Sequence, residues 1–198
     1  MTNKFSGWVS HLRNAALLGA VASVTTALFT FAVSREITGT VPSAAGWVEL
    51  GMMFSTGFFV ASNIWFVVSL LGFGLRSAQW AREHGVQLRL KPGWAIGGWF
   101  VPIASMFLPF IVLNDVAGTG AGDSAAARKR SLLWFWIWFI VLNQLSGYAL
   151  GEILSEDLAV QFQGYQMYAG VLAFNIVPLM MARSVFTQID ADLRGLAA

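Results

Sequence analysis

The chain contains no cysteine and only two histidines among its 198 residues. Disulfides, thiolate nucleophiles and cysteine-ligated metals are therefore excluded. His11 and His84 are far apart in sequence and lack the carboxylate spacing of a metal site. Charge is also scarce. Asp, Glu, Lys and Arg make up 11% of the chain, against about 25% in an average soluble domain. His-Glu-x-x-His, Gly-x-Ser-x-Gly and phosphate-cradling loops are all missing. Ser69, Ser105 and Ser146 have no base near them in sequence. The expectation is a protein that is not an enzyme, with no catalytic residue, cofactor or metal assigned. So few cations also argue against nucleic acid as a partner.

What the chain does have is apolar surface. It is 57% hydrophobic, with nine Trp and sixteen Phe. A soluble fold of this size cannot hide that much, so the solvent is a lipid bilayer. Crossing a hydrocarbon core of ~30 Å takes about 20 helical residues. Uncharged runs of that kind lie at about 14–34, 50–75, 132–150 and 158–181. The first run is too long for a signal peptide, and no small-x-small cleavage site follows it convincingly. The whole of 1–198 reads as a single membrane domain. The second helix should continue past Arg76 and Arg82 to a stop at Gly85, where a left-handed cap costs least. Asp123 or Ser124 suits the start of the third span, and Ser155 that of the fourth. Pro178 should kink the fourth. The tail at 184–194 places Val185, Phe186, Ile189 and Leu193 on one face, as in a helix lying on a membrane surface.

The chain is organised around residues 91–115, KPGWAIGGWFVPIASMFLPFIVLND. The stretch is apolar enough for a bilayer, yet Gly97, Gly98, Pro102 and Pro109 interrupt it. Two topologies compete. If this segment spans, the twelve Lys and Arg divide evenly between the two sides. If it enters and leaves on one face, Arg35 is the only one of the twelve outside. Positively charged loops stay in the cytoplasm, so the second topology is chosen. The fold class is thus an all-α membrane protein with four transmembrane helices. Between spans two and three lies a Pro/Gly-broken re-entrant or interfacial segment, about 93–114. Both termini are placed in the cytoplasm and the protein in the cell membrane. Non-helical backbone at membrane depth needs protein or water to satisfy it, so the segment should pack against the four spans.

The same segment resembles the core motif of a bacterial, largely actinobacterial, family of multi-pass membrane proteins catalogued as domain of unknown function 4328. Pro92, Gly93, Trp94 and Ala95 match its opening. Gly98, Trp99, Phe100, Val101 and Pro102 match its central step, followed by Pro109 and the acidic Asp115. This chain has Ser105-Met106 and Pro109-Phe110 where the motif has Asn-Leu and Pro-Tyr. It also lacks the Asn that usually follows the arginine of the preceding helix. The resemblance implies a multi-pass membrane protein and carries no activity.

Three groups are candidates for function. Trp94, Trp99 and Trp134, Trp136 and Trp138 could cage a cation or lipid headgroup, although interfacial anchoring is the commoner role. Asn63, Asn143, Gln144 and Asn175 form a candidate intramembrane polar cluster. It could line a solute path, or simply join helices by hydrogen bonds. Asp115 is expected to pair with Arg76 or Arg82 and lock the segment to span two. The first functional expectation is a scaffold or assembly module, whose partners are the bilayer and either further copies or other membrane proteins. The second is small-solute transport or lipid handling, with the broken segment as the selective element.

Overall fold

A computed structural model describes residues 6–37, 47–101, 107–119 and 123–195. Pro102 and Ser105 therefore lie outside the described residues. Those described form helices, with no strand among them. Helix α1 is Ser6–Ile37, α2 is Trp47–Glu83, α5 is Asp123–Ile153, and α6 and α7 are Leu158–Phe174 and Ile176–Gly195. Between α2 and α5 come the short α3, Trp94–Gly97, a 3-10 turn at Gly98–Phe100, and α4, Leu108–Ala117. Four helical stretches are long and apolar enough to cross a membrane, α6 and α7 together forming the fourth. The protein is a multi-pass helical membrane protein.

Helix α1 is the central stave, packing on α2, α6 and α7. Its small residues explain this. Ala15, Ala16, Ala20, Ala22, Ser23, Thr26 and Ala27 are all buried, and small side chains let helix backbones approach closely in lipid. The hydroxyls do not go to waste: Thr26 Oγ1 donates to the Ser55 carbonyl of α2 at 2.9 Å. The small-residue face that could have served contacts between copies is thus used within the chain.

Helix ends follow the local chemistry. Gly85, at φ 81°, takes the left-handed position just after α2, where an L side chain is disfavoured. Pro178 has no N–H to give to the carbonyl of Phe174, and the helix breaks at Asn175, between α6 and α7. At the start of α6 the cap is Asp157 rather than Ser155. The Asp157 carboxylate accepts from the Ala159 and Val160 N–H groups, while Ser155 Oγ accepts from the N–H of Asp157.

The tail corrects a second expectation. Val185, Phe186, Ile189 and Leu193 do share a face of α7, but that face is buried in the bundle. Phe186 meets Phe73 and Phe135 edge-on at 5.1 and 5.7 Å between ring centroids. An amphipathic stripe fits a membrane surface and a protein core equally well, and here the partners are buried residues of α1, α2 and α5.

Candidate functional site

The described parts of the broken segment, 89–101 and 107–115, form the two legs of a hairpin. Asp115, at the end of α4, accepts from the backbone N–H of Arg89 at 2.9 Å and from its Nε at 2.7 Å. The two ends of the segment therefore meet at one end of the bundle. Between them α4 has ten residues, about 15 Å at 1.5 Å per residue, half of a hydrocarbon core. The expected partners of Asp115, Arg76 and Arg82, are not used. Both are exposed on the last turns of α2, and Arg76 reaches Gln79 at 3.5 Å. The left-handed turn at Gly85 folds the chain back, so Arg89 arrives with both backbone and side chain. The hydrogen bond to Asp115 raises the Arg89 pKa; slight burial opposes this and the Asp115 charge adds to it.

The motif residues build the hairpin itself. Gly98 is buried where its two legs cross. A Cβ there would lie 2.8 Å from Leu108 Cβ and 3.1 Å from Pro109 Cδ, so no larger residue fits. Pro109 sits in the first turn of α4, where its missing N–H costs nothing. Pro92 and Gly93 lead into α3, and Trp94 is exposed. Ala95 and Leu113 then rest against Gly74 of α2. Of the five tryptophans proposed as a cage, only Trp99 and Trp136 meet, edge-on at 5.6 Å. Trp134 is exposed, and Trp138 lies outside this contact.

A second tie holds the hairpin. Arg128, in the first turns of α5, has a buried side chain. It donates from Nε to the Ala117 carbonyl at 3.3 Å and from Nη2 to the Thr119 carbonyl at 3.0 Å. Its Nη1 meets Asp192 of α7 at 2.6 Å, as a close charge pair rather than an aligned hydrogen bond. One planar guanidinium thus joins α4, α5 and α7. From the sequence this arginine is one of a basic run and reads as a topological anchor. The only signal of its role is spacing: it stands one helical start beyond the unpaired carbonyls ending α4.

Three of the four candidate amides come together. Asn63, Asn143 and Asn175, with Ser146, line a crevice of about 360 Å³ between α2 and α5, backed by Val171, Leu172 and Leu179. Helices α2 and α5 make little direct contact across it. Gln144 points elsewhere on α5 and is exposed. The rest of the lining is apolar, including Phe59, Phe66, Phe135, Phe139 and Leu142. Phe139 also packs edge-on against Trp99 at 6.0 Å. The hairpin therefore abuts one end of the crevice.

The amides do not act as glue between α2 and α5. Asn63 Nδ2 donates to the Phe59 carbonyl at 2.9 Å, and Asn143 Nδ2 to the Phe139 carbonyl at 2.7 Å. Each bond lies within its own helix. Only Asn175 reaches across, donating to Ser23 Oγ of α1 at 3.1 Å. Ser146, read from the sequence only as a serine without a base, and the aromatic wall are lining residues that the sequence did not assign to a site. Phe139 and Asn143, and Asn143 and Ser146, are helical neighbours at i+4 and i+3, a spacing that could have marked the face.

The family described as Domain of unknown function (DUF4328) matches residues 34–191. No curated protein and no solved structure matches the chain. The matched stretch takes in the hairpin and the crevice and covers most of the sequence, and the chain belongs to this family.

Proposed function

We propose that the protein is a non-enzymatic, lipid-handling membrane protein that holds a membrane-dissolved amphiphile in the crevice between α2 and α5. One observation carries this reading. Three amides from separate parts of the chain converge on an apolar crevice where α2 and α5 stand apart. Ligand sites have this character: a volume of roughly 300–1,000 Å³, mostly apolar walls and a few placed polar groups. Polar side chains in a membrane face the bundle or a cavity, and they mark binding sites.

The protein sits in the cell membrane with both termini in the cytoplasm. The start of α5 and the end of α7 meet through Arg128 and Asp192, and the hairpin closes beside them. Arg35 stands on the last turn of α1, at the opposite end. Positive-inside bias therefore puts the hairpin at the cytoplasmic leaflet. Its base carries Arg89, Lys91 and Asp115, and its exposed Phe100, Val101 and Phe107 dip into the bilayer.

Native mass spectrometry of the full chain, released from its own membrane, tests the proposal. The expected result is a bound amphiphile at one per protein, lost in Ser146→Phe, which fills the crevice. The Ser146→Phe protein should keep its helicity. An unliganded wild-type protein, or equal occupancy in both proteins, would contradict the reading.

Assembly is the second reading, favoured by the outer half of α2, where Met53 and Phe54 are strongly exposed side by side. Phe54→Cys should form a disulfide-linked dimer in intact membranes if copies meet there. A monomer under the same oxidation removes this reading.

A further inference from the structure

We infer that the amphiphile is neutral and carries a hydroxyl, as a long-chain alcohol does, and is not a carboxylate or phosphate. This rests on the crevice being a binding site, and it follows from the orientation of the three amides.

The phenyl and aliphatic walls cannot tell one head group from another, so the discrimination lies with the amides. An asparagine amide can be turned either way in place, with oxygen and nitrogen exchanged. Here chemistry permits one orientation. The partners of Asn63 and Asn143 are backbone carbonyls of Phe59 and Phe139. A carbonyl can only accept, so the amide nitrogen must face it. Asn175 faces a hydroxyl, which in general can donate or accept. Ser23, however, has already given its single proton to the Gly19 carbonyl at 2.8 Å. It can only accept from Asn175, so that nitrogen is placed as well.

Three carbonyl oxygens, Oδ1 of Asn63, Asn143 and Asn175, are consequently left as acceptors. No hydrogen bond among the described residues uses them. Acceptors surrounded by hydrocarbon are costly unless something donates to them. A hydroxyl donates and carries no charge. An ionised carboxylate donates nothing and meets three oxygen lone pairs.

Charge is excluded by the rest of the lining. No Asp, Glu, Lys, Arg or His lines the crevice. Asn63 also lies 16 residues beyond the start of α2 and 20 before its end, so its amide sits near mid-membrane depth. An anion there would have no counter-ion, and an unpaired charge at the bilayer centre is among the most costly placements in a membrane protein. The occupant enters from the lipid, between the exposed Ile64 and Val68 of α2 and the facing α5. Its chain lies on the aromatic and aliphatic wall, and its hydroxyl reaches the amides.

Photoaffinity labelling of the full chain in nanodiscs distinguishes the possibilities. Three diazirine probes of equal chain length are compared: a fatty alcohol, the corresponding fatty acid at a pH where it is ionised, and the alkane. The alcohol should label crevice peptides of α2 and α5 at least about tenfold more than the acid. Asn63→Leu and Asn143→Leu lose only bonds within their own helices, so both should fold. In each, alcohol labelling should fall towards the alkane level. Equal or stronger labelling by the acid would overturn the assignment of ligand class while leaving the crevice as a binding site. Undiminished alcohol labelling in both variants would overturn the role of the amides. If no probe labels the crevice, both this inference and the reading beneath it fail.

Discussion

Arg89 and Asp115 stand 26 residues apart in sequence and meet through two hydrogen bonds, one from the backbone and one from the guanidinium. That relationship ties the start of the broken segment to its end. Asp115→Ala should open the base. Its carboxylate is largely buried while Arg89 is 59% exposed, so the screened side-chain pair contributes only about 0.2–1 kcal/mol, and the lost backbone bond adds a similar amount. Hydrogen exchange should show α4 losing protection while α1 keeps its own.

The pH dependence of this pair has a defined sign. The Arg89 pKa is raised in the folded state by its bond to Asp115. A raised pKa gives a contribution that is complete below the unfolded-state value and is lost only as pH rises through the folded one. Arginine titrates far above neutrality. Raising pH from neutral to mildly alkaline should therefore leave the exchange protection of α4 unchanged. Loss of protection over that range would mean that another group holds the hairpin.

Arg128 should matter more. Its side chain is buried, and removing it leaves the Ala117 and Thr119 carbonyls without their donor, at about 1–3 kcal/mol each. Arg128→Met should lower the unfolding midpoint accordingly. Arg128→Lys should rescue little, since a point charge cannot reach two carbonyls and a carboxylate as a planar fork does. Asp192→Asn should cost less, because that carboxylate is 37% exposed. Thermal unfolding in detergent ranks the three.

Gly72 carries the ring of Trp8. A Cβ at Gly72 would overlap that indole, so Gly72→Ala should expel it at about 1–3 kcal/mol. Trp8→Ala removes the obstacle. The double variant should therefore be more stable than the sum of the two losses implies, a coupling measurable by a double-mutant cycle. Additive losses would mean that the ring does not rest on Gly72.

Much of this fold was legible because its signals are local. Uncharged runs marked the four spans, Gly85 the end of α2, and Pro178 the break at Asn175. What stayed hidden depends on contacts between distant segments. The apolar stripe of α7 reads as surface-seeking until Phe73 and Phe135 are known to face it. Asp115 has several cations within sequence reach, and only the turn at Gly85 selects Arg89. The site was half legible. Asn63, Asn143 and Asn175 stood out as amides in apolar runs, but Gln144 looked the same. Its position one residue from Asn143 turns it about 100° around the helix, away from the crevice.

Topology has its own test. Ala126→Cys lies near the start of α5 and Glu156→Cys in the turn before α6; both positions are exposed. An impermeant thiol reagent added to intact cells should label only Glu156→Cys. Labelling of Ala126→Cys instead of Glu156→Cys would place the hairpin across the membrane and reverse the orientation of α5.

The proposed function stands or falls on occupancy of the crevice between α2 and α5. A structure of the full chain in a lipid nanodisc tests it most directly. Elongated density should lie between the two helices, with its polar end within hydrogen-bond distance of Asn63, Asn143 and Asn175. Helices α2 and α5 closed on one another, with the amides facing only protein, would contradict it.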